Sequence, residues 1–204
     1  MRVLIAVAWP YASGPRHLGH LAGCYLPADI VARYHRLAGD DVLMVSGSDQ
    51  HGTPIMVAAE AAGVPPERFA DEQHEAIAAS FRELGTAFDL YTKTHTKTHE
   101  TTVQRLFVQL LHNGFIDEGT QLGAWCARER RSLPDRYVEG RCPICGNEQA
   151  RGDQCDVCGT TLEPSELGSP RCRSCGADAE FRDLRRLFLR DGEDRHFLSS
   201  IRYR

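Results

Sequence analysis

The sequence predicts an open α/β fold, a parallel sheet crossed by helices, with a small cysteine-rich module inserted after its first half. Two observations predict the sheet: short continuous apolar runs at Val3–Ala8 and Val42–Val45 each lead into a polar loop and then into helical spacing. A third predicts the module: six of the eight cysteines lie in three Cys-x-x-Cys pairs between Cys142 and Cys175.

Val3–Ala8 (VLIAVA) is partly β-branched, as a strand buried on both faces of a parallel sheet should be. Trp9–Gly14 (WPYASG) has turn chemistry, and from about His20 to Leu37 the apolar residues Leu21, Tyr25, Ile30, Tyr34 and Leu37 follow helical spacing, with Gly39 as the stop. Val42–Val45 is a second buried strand, ending in the loop Ser46-Gly47-Ser48-Asp49-Gln50-His51-Gly52. Thr53-Pro54 opens an alanine-rich helix across Ile55–Ala62, and a further helix covers Phe69–Leu84 after Pro65-Pro66. Asp89–Tyr91 is a third strand, followed by an amphipathic helix over Glu100–Leu111 ended by Asn113-Gly114. This alternation implies right-handed crossovers in an open sheet.

Composition shifts after Phe115, so three segments are expected: residues 1–115 as half of a nucleotide-binding domain, 116–183 as the inserted module, and 184–204 as a divergent or truncated tail. Phe181–Arg204 carries seven arginines and no clear core pattern beyond Leu184, Leu187, Phe188 and Leu189.

With 204 residues and 42% hydrophobic content, the chain can build one core and a small metal-stapled module. A net charge of -4 excludes the global basic footprint of a phosphate-backbone binder, so any nucleic-acid contact must be local. The opening apolar run is far shorter than the roughly 20 residues of a membrane-spanning helix. Pro10 breaks it before any convincing signal-peptide cleavage site. No membrane association and a reducing, cytoplasmic location are expected.

Ligands of open α/β sheets bind beyond the carboxyl ends of the strands, which points to the loops after Ala8 and Val45. In the first, His17-Leu18-Gly19-His20 sets two imidazoles three residues apart at a helix start. A helix amino terminus favours anions, and Gly19 lets a nucleotide approach the backbone. Singly, each of these residues has an ordinary structural reading: surface histidines, Asp49 as a helix cap, Trp9 and Tyr11 as core aromatics. Their joint occurrence in two adjacent strand-end loops is what points to a site.

The HLGH sequence resembles the "HIGH" signature of class I aminoacyl-tRNA synthetases. Together with Trp9-Pro10-Tyr11-Ala12-Ser13-Gly14-Pro15 and Ser46-Gly47-Ser48-Asp49-Gln50-His51-Gly52-Thr53-Pro54-Ile55, it resembles methionyl-tRNA synthetase over roughly residues 3 to 190. The resemblance implies the first half of a Rossmann-like catalytic domain. It implies ATP-dependent activation of methionine to methionyl-adenylate and transfer to methionine tRNA, with ATP and its magnesium as substrate. It places His17 and His20 as catalytic contacts to ATP phosphates, with Tyr11, Gly14 and Gly19 also facing ATP. Ala8, Trp9, Tyr11 and Asp49 would form the methionine pocket, Asp49 pairing with the α-ammonium. His51 has no assigned step.

Cys142-x-x-Cys145 and Cys155-x-x-Cys158 are separated by nine residues, a spacing suited to one tetrahedral structural zinc. The remaining pair, Cys172 and Cys175, finds its partner in Cys126. Synthetases with two zinc knuckles resemble this pattern but carry a second cysteine where this chain has Glu129. The second site therefore has at best a carboxylate as fourth ligand, and one fully held zinc is the expectation. Cys24 reads as a small apolar residue.

The family also needs a second half-domain with a Lys-Met-Ser-Lys-Ser-type loop. The chain's two lysines, Lys93 and Lys97, sit in no such loop. The sequence reading therefore expects an incomplete synthetase, completed by further chain or by a second chain. The alternative is a non-catalytic, zinc-containing paralogue that binds RNA or a protein partner.

Overall fold

A computed structural model describes residues 1–190. Residues 191–204, which hold most of the tail expected over 184–204, lie outside the described residues. The chain forms two compact units, Met1–Thr101 and Thr102–Arg204.

In the first unit β1 (Arg2–Ala6), β2 (Asp41–Ser48) and β3 (Leu90–Lys93) form a parallel sheet in the order β1-β2-β3. Val3 lies opposite Val42, and Val45 opposite Leu90. The first crossover begins with α1 (Leu18–His20), widens into a π-turn over Leu21–Tyr25 and continues as α2 (Leu26–Leu37). Pro27 accounts for the widening, because it has no N–H to give the carbonyl of Gly23 one α-turn earlier. The second crossover uses α3 (Thr53–Ala62) and α4 (Pro66–Glu83), each with a proline in its first turn, where a missing N–H costs nothing.

The core of this unit is Val7, Tyr25, Ala32, Met44, Ile77 and Phe81, flanked by Ile5, Cys24, Val42, Phe88 and Tyr91. Cys24 is thus a packing residue, as expected. Phe81 is the aromatic centre: its ring centroid lies 4.6 Å from that of Tyr25 and 5.3 Å from that of Tyr91.

One sequence expectation, the burial of β1 on both faces, is corrected here, and the inward face of α2 is set. β1 is not buried on both faces: its pattern alternates, and Leu4 is 67% exposed. α2 does not bury Ile30, Tyr34 and Leu37, which are exposed; its inward residues are Asp29 and Ala32. Asp29 is tolerated there because it accepts from Arg33 Nε at 2.6 Å and from the Ala87 backbone N–H at 3.0 Å, so its charge is paired and a loop donor is satisfied.

α5 (Lys97–His112) leads into the second unit. There β4 (Ile116–Cys126) pairs antiparallel with β9 (Glu180–Leu189) along nearly its whole length, from Ile116 opposite Leu189 to Trp125 opposite Glu180. β5 (Arg131–Ser132) pairs with the end of β4. The second sheet is β7 (Ala150–Arg151), β6 (Val138–Arg141) and β8 (Gly168–Cys172), in the order β7-β6-β8. β9 was not expected from sequence. Arg190 donates to both Asp117 carboxylate oxygens, at 2.9 and 2.6 Å, and closes the ribbon end. Among the described residues no helix is long and apolar enough to cross a membrane.

Candidate active site and metal centres

Past their last paired residues, β1 and β2 run on together. The Val7 N–H donates to Val45 O at 2.9 Å, Asp49 N–H to Pro10 O at 2.8 Å, and Ala12 N–H to Asp49 O at 2.8 Å, giving an isolated parallel bridge between Tyr11 and Asp49. Two loops that are 38 residues apart in sequence are thereby held side by side. Ala8, Trp9 and Tyr11 remain exposed, Tyr11 beside Asp49. Trp9 is seated on Gly47: a Cβ there would meet the indole at 2.6 Å and the Thr92 carbonyl oxygen at 2.6 Å, so only glycine lets the ring lie on the strand.

Asp49 is oriented by its own loop. Its Oδ1 accepts from the His51 N–H at 3.0 Å, and the Thr94 hydroxyl lies 3.5 Å away while accepting from Gln50 N–H at 2.8 Å. Below it, Asp71 Oδ1 accepts from Gln50 Nε2 at 2.8 Å and from Lys93 Nζ at 2.6 Å. The lysine holds the Asp71 carboxyl below its ordinary pKa, against partial desolvation and with help from Gln50. Ser48 is buried and hydrogen-bonds the buried His74 at 2.7 Å, whose ring stacks on Tyr91. Burial lowers the His74 pKa. His51 stacks on His95 at 5.6 Å, and His95 lies 3.4 Å from Glu67.

The other half of the candidate site is the start of α1. His17 caps the helix, its Nδ1 accepting from the Gly19 N–H at 3.1 Å, and its ring lies 3.8 Å from that of His20. Loss of hydration first, then the neighbouring His17 and Arg16 charges, lower the His20 pKa. Arg16 fixes the preceding turn, donating to Gly14 O at 2.6 Å and Tyr11 O at 3.2 Å. Tyr11 and Gly14 thus share one arginine, while His17, Gly19 and His20 form one compact group. Arg16, Ser48, His74 and Asp71 were not singled out from the sequence. The partners of Ser48, His74 and Asp71 are set by the tertiary fold, whereas Arg16 bonds carbonyls of its own loop.

In the second unit the three Cys-x-x-Cys-Gly segments are built alike. The N–H of Cys142, Cys155 and Cys172 donates to the O of residues Asn147, Thr160 and Ala177, and the N–H of Gly146, Gly159 and Gly176 donates back to the cysteine carbonyl. Each glycine has φ between +71° and +75°, the left-handed turn that folds the second thiol back toward the first. Cys142, Cys145, Cys155 and Cys158 place their sulfurs within 4.8 Å of one another, with Cys142 and Cys158 3.8 Å apart and Cys145 and Cys155 3.6 Å apart. A disulfide needs sulfurs about 2.05 Å apart. Four thiolates about 2.3 Å from a central zinc stand about 3.8 Å from one another. The cluster therefore fits a tetrahedral metal and not a pair of disulfides. The backbone N–H of Cys158, against partial burial, lowers the Cys155 pKa to about 6, while against the Asn147 backbone N–H burial and the neighbouring thiols raise that of Cys145 to about 12. Asn147 Nδ2 and the Thr160 hydroxyl lie 3.6 and 3.3 Å from the sulfurs of Cys155 and Cys158.

A second group brings Cys126, Glu129, Cys172 and Cys175 together within the same limit. All seven cysteines read as ligands from sequence are thus gathered into two clusters that could hold a metal.

A family model described as tRNA synthetases class I (M) matches residues 3–201, beyond the Arg190 at which the motif resemblance was placed. The chain belongs to this family. Methionine–tRNA ligases are its relatives: that of Nocardioides sp. is 53% identical over 92% of the chain, and that of Thermomicrobium roseum 56% identical over 84%. The chain spans about a third of the length of these curated relatives (32% and 30%). Among solved structures, Mycobacterium tuberculosis methionyl-tRNA synthetase bound by methionyl-adenylate aligns with a TM-score of 0.63 at 21% identity, covering 93% of the chain and 32% of that protein. A leucyl-tRNA synthetase ternary complex from Agrobacterium radiobacter aligns with a TM-score of 0.62 at 23% identity over 92% of the chain. At those identities the likeness shows the fold alone.

Proposed function

We propose that the chain supplies the amino-terminal half-site of a methionine–tRNA ligase, which activates methionine with ATP and magnesium and transfers it to methionine tRNA. The observation that carries this reading is the lateral bridge between Tyr11 and Asp49, which sets an aromatic wall and a carboxylate beside each other at the strand ends. Asp49 pairs with the methionine ammonium, a charge-assisted contact inside an otherwise apolar pocket of Ala8, Trp9 and Tyr11. His17 and His20, with the backbone at Gly14 and Gly19 and the Tyr11 side, face ATP. His20, its pKa lowered by loss of hydration and by the neighbouring His17 and Arg16, donates a ring N–H to a phosphate oxygen.

Attack of the methionine carboxylate on the α-phosphate needs no covalent enzyme intermediate. The residues' work is to align the reactants and to stabilise charge on the phosphoryl oxygens. The remaining phosphate contacts come from outside this chain, in a continuous polypeptide or a second one. Residues 1–115 form the catalytic half and 116–183 the insertion, whose Cys142, Cys145, Cys155 and Cys158 hold a structural zinc; Leu184–Leu189 of the expected tail continue β9 and so pair within the insertion. The site works in the cytoplasm.

The test is titration of a non-hydrolysable methionyl-adenylate analogue into this chain fused to the remaining two thirds of the Nocardioides relative. Asp49→Asn removes a charge-assisted hydrogen bond worth about 1.5–3 kcal/mol, so binding should weaken by about ten- to a hundredfold. Unchanged affinity would refute the assignment of Asp49.

A further inference from the structure

The sequence departs from the two-knuckle pattern at Glu129, and the structure shows where that side chain goes. Cys126 and Cys175 have their sulfurs 3.5 Å apart, and Glu129 Oε2 lies 3.7 Å from Cys172 Sγ. With metal–sulfur bonds of about 2.3 Å and a metal–oxygen bond of about 2.0 Å, a tetrahedron has sulfur–sulfur edges of about 3.8 Å and sulfur–oxygen edges of about 3.5 Å. The Cys126–Cys175 and Cys172–Glu129 edges stand near those separations, and all four ligand atoms lie within 4.8 Å of one another. Cys126 and Cys172 are buried, and Cys175 and Glu129 half-buried, so the cluster is closed on one side and reachable on the other.

The carboxylate is held in place by a fixed arginine. Arg131 Nε donates to Glu129 Oε2 at 2.6 Å and its terminal nitrogen donates to the Ser174 hydroxyl at 2.9 Å, while its guanidinium lies 4.7 Å from the ring centroid of the buried Tyr137. The Glu129 backbone N–H also donates to Cys126 Sγ at 3.3 Å. A ligating carboxylate that accepts a further hydrogen bond from an anchored donor is the usual support of a metal site, because the partner fixes which way the oxygen points.

We propose that Cys126, Glu129, Cys172 and Cys175 form a second zinc site with three thiolates and one carboxylate, Glu129 Oε2 being the fourth ligand and Arg131 its positioning residue. The inference rests on the zinc reading of the first cluster and adds a difference between the two. A loaded four-thiolate site carries two negative charges. A loaded three-thiolate, one-carboxylate site carries the same two, of which Arg131 offsets one. A carboxylate oxygen is a harder donor than a thiolate and holds zinc less firmly, so the second ion leaves before the first. The Cys142–Cys158 ion is the permanent one; the Glu129 ion exchanges.

The experiment is zinc analysis of the purified full chain, followed by timed release to a chromophoric chelator. Wild type should hold two ions and release them in two phases of one ion each. Glu129→Ala should lose the fast phase, its affinity falling by more than the roughly 10–100-fold that loss of an outer-shell partner costs, and Arg131→Ala should fall within that range. Glu129→Cys is the control for folding: it should hold two ions and turn the fast phase slow. Cobalt substitution gives an independent readout, since thiolate-to-cobalt charge transfer should rise from seven thiolates in wild type to eight in Glu129→Cys. One ion per wild-type chain, or an unchanged fast phase in Glu129→Ala, would overturn the proposal and leave the first zinc standing. No ion at all would overturn both.

Discussion

Replacing Gly47 with alanine tests how the strand-end loops are seated. The added Cβ would lie 2.6 Å from the Thr92 carbonyl oxygen and 2.6–2.7 Å from two atoms of the Trp9 ring. Thr92 is the register partner of Gly47 in the β2–β3 ladder, so the backbone contact cannot be relieved by rotating a side chain. Either the strands part or Trp9 leaves its seat and the ladder still shifts. Overpacking of this kind costs about 1–3 kcal/mol. At about 2 kcal/mol the folding equilibrium falls about 30-fold. Urea denaturation followed by far-UV circular dichroism measures the loss, and tryptophan emission reports the displacement of Trp9, one of two tryptophans in the chain. Gly23→Ala is the control. Nothing lies within 4 Å of its added Cβ and the position is helical, so it should be neutral or gain up to about 1 kcal/mol. Equal stability of Gly47→Ala and wild type would refute the seating of Trp9 on the strand.

Three further outcomes are expected. Asp29→Ala leaves the Ala87 N–H and the Arg33 guanidinium without their buried acceptor. It should cost about 1–3 kcal/mol by the same urea assay, and a cost near zero would contradict the buried pairing. Burial lowers the His74 pKa, so the unfolded chain takes up its proton first as pH falls. The His74 contribution to stability is therefore complete above about pH 6.5, the ordinary histidine value, and is lost as pH falls from there through the lowered folded value. His74→Asn should flatten that part of the pH–stability curve, and an unchanged slope would show that another group carries it. Cys155→Ser should remove the first zinc and unfold the knuckle, since structural zinc contributes apparent energies of about 10–16 kcal/mol at pH 7. Full zinc content in that variant would contradict the ligand set.

What the sequence made legible were features encoded by neighbours in the chain. The HLGH turn, the Ser46–Gly52 loop and the Cys-x-x-Cys-Gly repeats each hold their spacing within a few residues, and their geometry follows from local hydrogen bonds. The strand–helix alternation was readable for the same reason. β9 was not, because its partner β4 lies some sixty residues earlier and its arginines hide the short apolar positions Leu184 and Leu187. The inward face of α2 was not legible: a buried aspartate looks like a solvent residue until Arg33 and the Ala87 N–H are brought to it. Leu4 was expected to be covered because a β-branched run reads as a central strand, yet among the described residues that face of β1 is open. Glu129 was read as a departure from a pattern, and only the approach of Cys172, forty-three residues later, gives it a partner.

The deciding measurement is methionine-dependent exchange of pyrophosphate into ATP, catalysed by this chain fused to the remaining two thirds of the Nocardioides relative. The account predicts exchange by the wild-type fusion and its loss in the His17→Ala, His20→Ala double variant, with zinc content unchanged. Exchange that survives the double variant, or a fusion that folds with its zinc and exchanges nothing, would contradict it.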